Sequence, residues 1–466
     1  MTQTIISVFE AQQKHKYTLR NSNSAQRIDK LKTLKAGIEK YETRIYEALQ
    51  SDLRKSHFEA AVTELIFVYG ELNFAIKHLS SWMRPKRVGK TITSLTAKNR
   101  IYYEPKGVCL IISPWNYPFQ LLISPLISVI AAGNCAILKP SELSPATSAV
   151  INALIKECFD EQEICCIEGD AAASTALLDL PFDHIFFTGS TAIGKVVMEA
   201  AAKHLTSVTL ELGGKSPTVI DQSANLKKAA EKIAWGKLLN AGQTCIAPDY
   251  VLIPQNRQEE FISEYAIAAN KLFFNSNKQI NENAYAKIIN ERHYKRISNL
   301  MQNATENGAK IAFGGEKNES NHTINPTVLT QLHMDAEIMK EEIFGPVLPI
   351  ITYQTTDEAI QEINSRSKPL ALYIFSENKK NIAQLIKNTS AGGTCVNDVL
   401  IHISNPKLPF GGVNSSGMGS CHGFFGFKTF SHERSVVFQS RMNVSNLIYP
   451  PYENKYWVLN WLKRLM

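Results

Sequence analysis

The sequence predicts an α/β protein of more than one unit, in which parallel sheets carry helices on both faces. Three observations predict this. From residue 108 onward, short apolar runs of strand length alternate with segments of helical period. The chain has 466 residues, more than one hydrophobic core usually holds. Its composition, 44% apolar and 20% charged with no repeats or low-complexity tracts, is that of a globular protein.

Residues 24–53 place Ile28, Leu31, Leu34, Ile38, Tyr41, Ile45 and Leu49 at steps of three and four. That spacing predicts an amphipathic helix, entered from Ser22, Asn23 and Ser24. The same logic predicts a second helix from about Phe58 to Trp82. The segment 84–106 is basic and Thr-rich and predicts a projecting hairpin.

The alternation then begins. Val108–Ile112 is an apolar run ending at Ser113-Pro114, and Phe119–Ala132 predicts a buried helix too short to span a bilayer. Cys135–Leu138 ends at Lys139-Pro140, and a helix follows over Ala146–Phe159. Ile185–Phe187 closes at Thr188-Gly189-Ser190 and leads into a helix over Ile193–His204. In such sheets ligands bind beyond the carboxyl ends of the strands, so the polar residues just after each run are the candidates for function. A second unit is expected to open near 211, where strand-like Val208–Leu212 runs into Gly213-Gly214. Helices are expected near 224–240 and 257–274, and strands near 249–253, 347–353, 370–375 and 394–396. Ser435–Phe438 predicts an edge or partner-pairing strand, and Tyr456–Leu465 a short amphipathic tail.

The net charge of +7 is small for this length, and Lys30, Lys32 and Lys35 stand beside Glu39 and Glu42 as on a solvated helix face. Nucleic acid is therefore not an expected partner. The eight cysteines (109, 135, 158, 165, 166, 245, 395, 421) form no C-x-x-C pair or metal-ligand spacing, so no metal is expected and a reducing compartment is. Met1–Arg20 is polar and lacks a signal-peptide core. The expected location is the cytoplasm, with no transmembrane anchor.

Five segments could carry chemistry. Gly242-Gln243-Thr244-Cys245 puts a cysteine among small and polar residues after a helix, where a substrate can reach it. A thiol is useful there only as its thiolate. Leu210-Glu211-Leu212-Gly213-Gly214 places a carboxylate at the end of a β run, followed by glycines that admit a close approach. Pro114-Trp115-Asn116-Tyr117-Pro118 fixes a loop between two prolines and offers the Asn116 amide to a developing oxyanion. Lys139-Pro140-Ser141-Glu142 pairs a lysine and a carboxylate suited to ribose hydroxyls. Phe187-Thr188-Gly189-Ser190-Thr191-Ala192-Ile193-Gly194 is a glycine-bounded turn opening a helix, whose N–H groups favour phosphate. It is not the G-x-G-x-x-G motif.

In this order and spacing, these segments resemble the aldehyde dehydrogenase superfamily. Gly242-Gln243-Thr244-Cys245-Ile246-Ala247-Pro248-Asp249-Tyr250 is similar to its class 3 branch, which handles fatty and aromatic aldehydes. Lys340-Glu341-Glu342-Ile343-Phe344-Gly345-Pro346, Cys395-Val396-Asn397-Asp398 and Pro409-Phe410-Gly411-Gly412 extend the resemblance over nearly the whole chain.

The resemblance implies a Rossmann-like cofactor domain (1–83 and 106–210), an α/β catalytic domain (211–420) and a small β bridging or oligomerisation element (84–105 and 421–466) that pairs the chain as a homodimer. It implies NAD(P)-dependent oxidation of medium- or long-chain aliphatic or aromatic aldehydes to carboxylates. Cys245 is then the nucleophile, passing through a thiohemiacetal and a thioester. Asn116 and the Cys245 N–H hold the oxyanion, and Glu211 is the base that activates water. Lys139 and Glu142 match contacts to the adenosine ribose and Ser190 a pyrophosphate contact, with Gly189 giving room. Glu342 matches the nicotinamide-ribose ligand, Phe344 packs near the nicotinamide, and Trp115 lines the aldehyde tunnel. A carboxylate at Glu142 favours NAD over NADP, although relatives with glutamate there use both.

Two positions depart from the family pattern, Asn414 in place of glycine and Cys421 in place of tyrosine, both expected near the substrate entrance. The sequence runs to Met466 without the long hydrophobic tail of some class 3 members, so a soluble protein is expected. A cysteine hydrolase using Cys245 with a histidine is a rival reading, but no histidine is close in sequence to Cys245. A silent relative that keeps only the fold would have no use for Cys245, Glu211 and Asn116 together.

Overall fold

The computed structural model describes residues 2–91, 94, 96–441 and 445–465. The expected bridging segments include positions 92, 93, 95, 442–444 and 466, which lie outside the described residues.

Two parallel sheets form the body. The first has the strand order Gly417–Met418, Ser207–Glu211, His184–Thr188, Val108–Ile112, Cys135–Lys139, Ile164–Cys166. All its neighbours are parallel except the two-residue strand Gly417–Met418. Its inner strands are buried on both faces because helices cover both, which is why they read as unbroken apolar runs. The chain lays Val108–Ile112, Cys135–Lys139 and Ile164–Cys166 outward in one direction. It then crosses back to set His184–Thr188 on the other side of Val108–Ile112. Strand order reverses at that point, so the loops after those two strands open a crevice. Those loops hold Pro114–Tyr117 and Gly189–Ser190.

Strand-like Val208–Leu212, expected to open the second unit, instead completes the first sheet. Ser207–Glu211 pairs with His184–Thr188 in the register Thr188↔Glu211. The helix Thr191–Ala202 is the crossover between these strands, and a parallel connection of that length returns to the same sheet.

The second sheet runs Lys310–Phe313, Thr327–Thr330, Val347–Tyr353, Tyr250–Pro254, Pro217–Ile220, Ala371–Phe375, Gly393–Val396. It is parallel apart from the antiparallel edge Lys310–Phe313. After it the chain returns to the first sheet through Gly417–Met418. The helix Gly423–Thr429 then packs on helices Gln120–Ala132 and Ile66–Trp82. A small third sheet joins the hairpin Lys86–Val88 and Lys98–Pro105 to Ser431–Phe438, which pairs with Lys98–Pro105 along its whole length.

Helix Ser24–Leu53 starts at a capping box in which Asn23 and Gln26 exchange side-chain and backbone bonds at 3.0 and 2.8 Å. The helix expected from Phe58 to Trp82 is broken in register: His57–Ala60 passes through a five-residue π turn, Ala61–Leu65, into Ile66–Trp82. The polar N-terminus is a helix too, Thr2–Arg20, burying Ile5, Val8 and Phe9 along one narrow stripe. No described helix is long and apolar enough to cross a membrane.

Candidate active site

Two cavities meet at one cysteine. The first, of about 370 Å³, is lined by Trp115, Asn116, Gly189, Ser190, Glu211, Cys245, Glu342 and Phe344. The second, about 210 Å³ and almost wholly apolar, shares Cys245 and Glu211 and is walled by Phe67, Leu121, Trp235, Ile401, Ile403 and Phe410, among others. Eight of the ten residues singled out from the sequence thus converge on one space. The other two, Lys139 at the end of strand Cys135–Lys139 and Glu142 just after it, line neither cavity; Lys139 Nζ donates to Pro140 O at 2.8 Å and to Glu142 Oε2 at 3.4 Å.

Cys245 sits after helix Leu226–Leu238 on a turn held open by strain. Asn240 and Ala241 both adopt left-handed backbone (φ 51 and 52°), and Gly242 follows at φ 76°. The turn is pinned by side chains. Gln243 Nε2 donates to Asn240 O (2.9 Å) and Lys287 O (3.0 Å), and its Oε1 accepts from Ile289 N (3.0 Å). The Thr244 and Tyr117 hydroxyls share a bond of 2.7 Å. A Cβ at Gly242 would lie 2.3 Å from Gly345 O, a backbone atom that cannot give way. Gly242→Ala is therefore expected to cost at least about 2 kcal/mol of stability and most of the activity. A denaturation midpoint equal to that of the parent would refute it.

Burial pushes the Cys245 thiol up, with the Glu342 and Glu211 carboxylates adding to the shift. The backbone N–H groups of Cys245 and Ile246 oppose it. Glu211 closes its strand, and both its carboxyl oxygens are buried without a hydrogen-bond partner. Burial raises it well above the ordinary carboxylate range, and the neighbouring Cys421 thiol opposes this in smaller measure. Glu342 is pushed up to about 8 by burial and by Asp249, against the Gly214 N–H, Lys215 and Arg296. Two of these opposing cations also hold its loop: Lys215 pairs with Asp249 and donates to Ile338 O and Glu341 O, and Arg296 donates to Glu341 Oε1 at 2.8 Å. Trp115, expected to line the aldehyde tunnel, instead meets Phe344 edge-on at 5.4 Å on the wall of the larger cavity and does not line the apolar one, because the loop it sits on turns its ring toward Phe344.

Asn116 Nδ2 donates one N–H to Gln243 O at 2.9 Å, which leaves its second N–H for a ligand. Its backbone carbonyl is held by residues that motif reading missed: Lys55 Nζ at 2.8 Å and Asn240 Nδ2 at 2.9 Å. Lys55 is wholly buried with Glu64, and Glu59 accepts from Asn240 N at 2.9 Å. The signal available in the sequence was charge in the wrong place, since Glu64 falls inside the run Ala60–Val68 that must bury its apolar face.

Of the two departures, Asn414 adopts φ 54°, a conformation glycine and asparagine reach most readily. It sits in a turn whose Ser415 O accepts from Thr191 Oγ1 at 2.9 Å, on the Ser190 side. Cys421 lines the apolar cavity. Among the described residues no histidine bonds Cys245; the one close histidine–cysteine pair joins His402 to Cys395 at 3.1 Å.

The residues present suit a dinucleotide. Helix Thr191–Ala202 opens on the larger cavity with Ser190 as its cap, presenting N–H groups fit for phosphate. Glu342 offers carboxylate oxygens to a ribose. A Cβ at Gly213 would lie 2.0 Å from Glu342 Oε2, so the backbone there is bare to let the carboxylate in.

A profile of the aldehyde dehydrogenase family matches residues 2–436. The mouse enzyme "aldehyde dehydrogenase, dimeric NADP-preferring" is 44% identical over 427 residues, 91% of this chain and 93% of that one. The substrate-bound structure of Staphylococcus aureus AldH superposes with a TM-score of 0.94 at 43% identity, covering 98% of this chain and 99% of that one. The NAD⁺ complex of a Bacillus cereus aldehyde dehydrogenase superposes with a TM-score of 0.86 at 26% identity, covering 95% and 90%.

Proposed function

The chain belongs to the aldehyde dehydrogenase family, and on that premise we propose that Cys245, Asn116 and Glu211 carry out its reaction in the space where the two cavities meet. The enzyme oxidises aldehydes with NAD, and NADP is also admissible. The observation that carries the residue assignment is the sharing of Cys245 and Glu211 by a polar-ended cavity and an apolar one. The apolar cavity takes the aldehyde's chain, and the other takes the cofactor.

Cys245 Sγ adds as the thiolate to the aldehyde carbon, and the backbone N–H of Ile246 favours that charged form. The free N–H of the Asn116 amide and the Cys245 N–H hold the resulting thiohemiacetal oxyanion; one such donor contributes about 3 kcal/mol. When bound, NAD supplies the hydride acceptor, and that chemistry is the cofactor's own. Ser190, with Gly189, receives the pyrophosphate, and Lys139 and Glu142 receive the adenosine ribose. Glu342 receives the nicotinamide ribose, with Phe344 and Trp115 packed beside that end of the site. Glu211 then takes a proton from the water that attacks the thioester on Cys245. The first sheet and its helices act as the cofactor unit and the second sheet as the catalytic unit.

Both Cys245 and Glu211 work deprotonated, and burial raises both. Turnover is therefore expected to climb from about pH 6 to about pH 10 instead of peaking near neutrality. A rate profile flat across that range would count against both assignments.

The walls of the apolar cavity favour medium- or long-chain aliphatic and aromatic aldehydes. Glu142, with its side chain about half exposed (47%), would repel a 2′-phosphate and favour NAD over NADP. A turnover panel of aliphatic aldehydes of rising length and of aromatic ones, with each cofactor, tests both. Higher kcat/KM for short polar aldehydes, or equal turnover with NADP, overturns the corresponding preference. The edge strand Ser431–Phe438, with Val437 and Phe438 exposed, supports a homodimer formed through the third sheet. All eight cysteines are free, which supports a cytoplasmic location.

A further inference from the structure

Lys55 has no exposed surface, and each of its three N–H donors has a separate recipient. One bonds Glu64 Oε1 at 2.6 Å and one bonds Asn116 O at 2.8 Å; the ammonium also sits 3.9 Å from the centroid of the Tyr117 ring. Two consecutive residues of the Asn116 loop are thus gripped by one cation. Glu64 completes the grip from the other side. Its Oε2 accepts from Phe119 N (3.1 Å) and Gln120 N (2.9 Å), the first N–H groups of helix Gln120–Ala132, which has no side-chain cap of its own. The π turn carries Glu64 inward, and such turns recur at functional sites.

The chain beyond is tied to the same point. Tyr117, under the ammonium, bonds Thr244, next to Cys245. Asn240 bonds both Asn116 O and Gln243 O, and Asn116 bonds Gln243 O. A buried ion pair is a poor source of net stability, because apolar side chains of equal volume often do as well. What this one secures is the position of a single amide relative to a single sulfur.

We propose that Lys55, with Glu64, is a positioning residue that sets the Asn116 amide for oxyanion stabilisation, an inference that rests on the role given to Asn116 above. Its effect on rate then passes entirely through Asn116.

A double-mutant cycle tests this, read as the rate of reduced-cofactor formation in a single turnover. Because Lys55→Met alone strands the buried Glu64 carboxylate and puts folding at risk, the variant of choice is Lys55→Met with Glu64→Gln. It is neutral and keeps an oxygen for the helix N–H groups; circular dichroism checks its fold, and Lys55→Arg serves as the charge-conserving variant. In the parent background the double change is expected to slow hydride release about tenfold or more, and in an Asn116→Ala background by less than about twofold. Lys55→Arg, which keeps the charge, is expected to recover part of the loss.

Equal slowing in both backgrounds, or none in the parent, overturns the positioning role. An Asn116→Ala enzyme as fast as the parent instead removes the oxyanion role of Asn116, and the inference with it.

Discussion

Cys245→Ala is expected to lower aldehyde-dependent formation of reduced cofactor at least about 10⁴-fold, because no covalent intermediate can form. The loss should be chemical and not structural. The bonds that shape the turn come from Asn240, Gln243 and Thr244, and none uses the Cys245 sulfur. The variant should therefore unfold at the parent's denaturant midpoint and still bind NAD, measured by quenching of protein fluorescence. A variant that keeps a few per cent of parent activity would show that another group attacks the aldehyde. Cys421, the second thiol on the apolar cavity, would then be the residue to replace next.

Glu211→Gln should separate the two halves of the reaction. Hydride release in the first turnover should survive, giving a burst of about one reduced cofactor per site, while steady turnover falls roughly 10²- to 10⁴-fold. The substitution suits the site. Burial raises Glu211 and its oxygens face no charged partner, so an amide of the same shape strands no neighbouring charge. Intact-mass measurement of the stalled enzyme should find one acyl group, on the peptide that contains Cys245. Steady turnover at the parent rate would remove Glu211 as the base and return the search to Glu342, another carboxylate on the larger cavity.

Much of the site could be read along the chain for a local reason. In a parallel sheet the ligand edge is where strands stop, and strands stop at punctuation that sequence displays: Ser113-Pro114, Thr188-Gly189, Glu211 before Gly213-Gly214. Each marks a residue that the structure places at the meeting of the two cavities or beside it. The N-terminal helix was missed because its apolar stripe is too narrow to lift Met1–Arg20 above a polar average. The strands Pro217–Ile220 and Thr327–Thr330 were missed because a run of four residues is too short to show a period.

By itself, then, the order of residues determined the α/β class, the strand ends that bear chemistry, and the cysteine, carboxylate and amide that stand there. Only the tertiary structure decided which sheet Ser207–Glu211 joins and that Glu211 rests buried with no charged partner. It alone decided that Lys55, just before helix His57–Ala60, and Glu64, in the π turn after it, close on the Asn116 loop, and that Glu59 reaches Asn240. The physical reason is range. Periodicity and punctuation record what a residue does to its near neighbours, whereas Lys55 meets Asn116 across 61 positions and Glu59 meets Asn240 across 181. The desolvation that raises Glu211 exists only once such distant segments have closed over it.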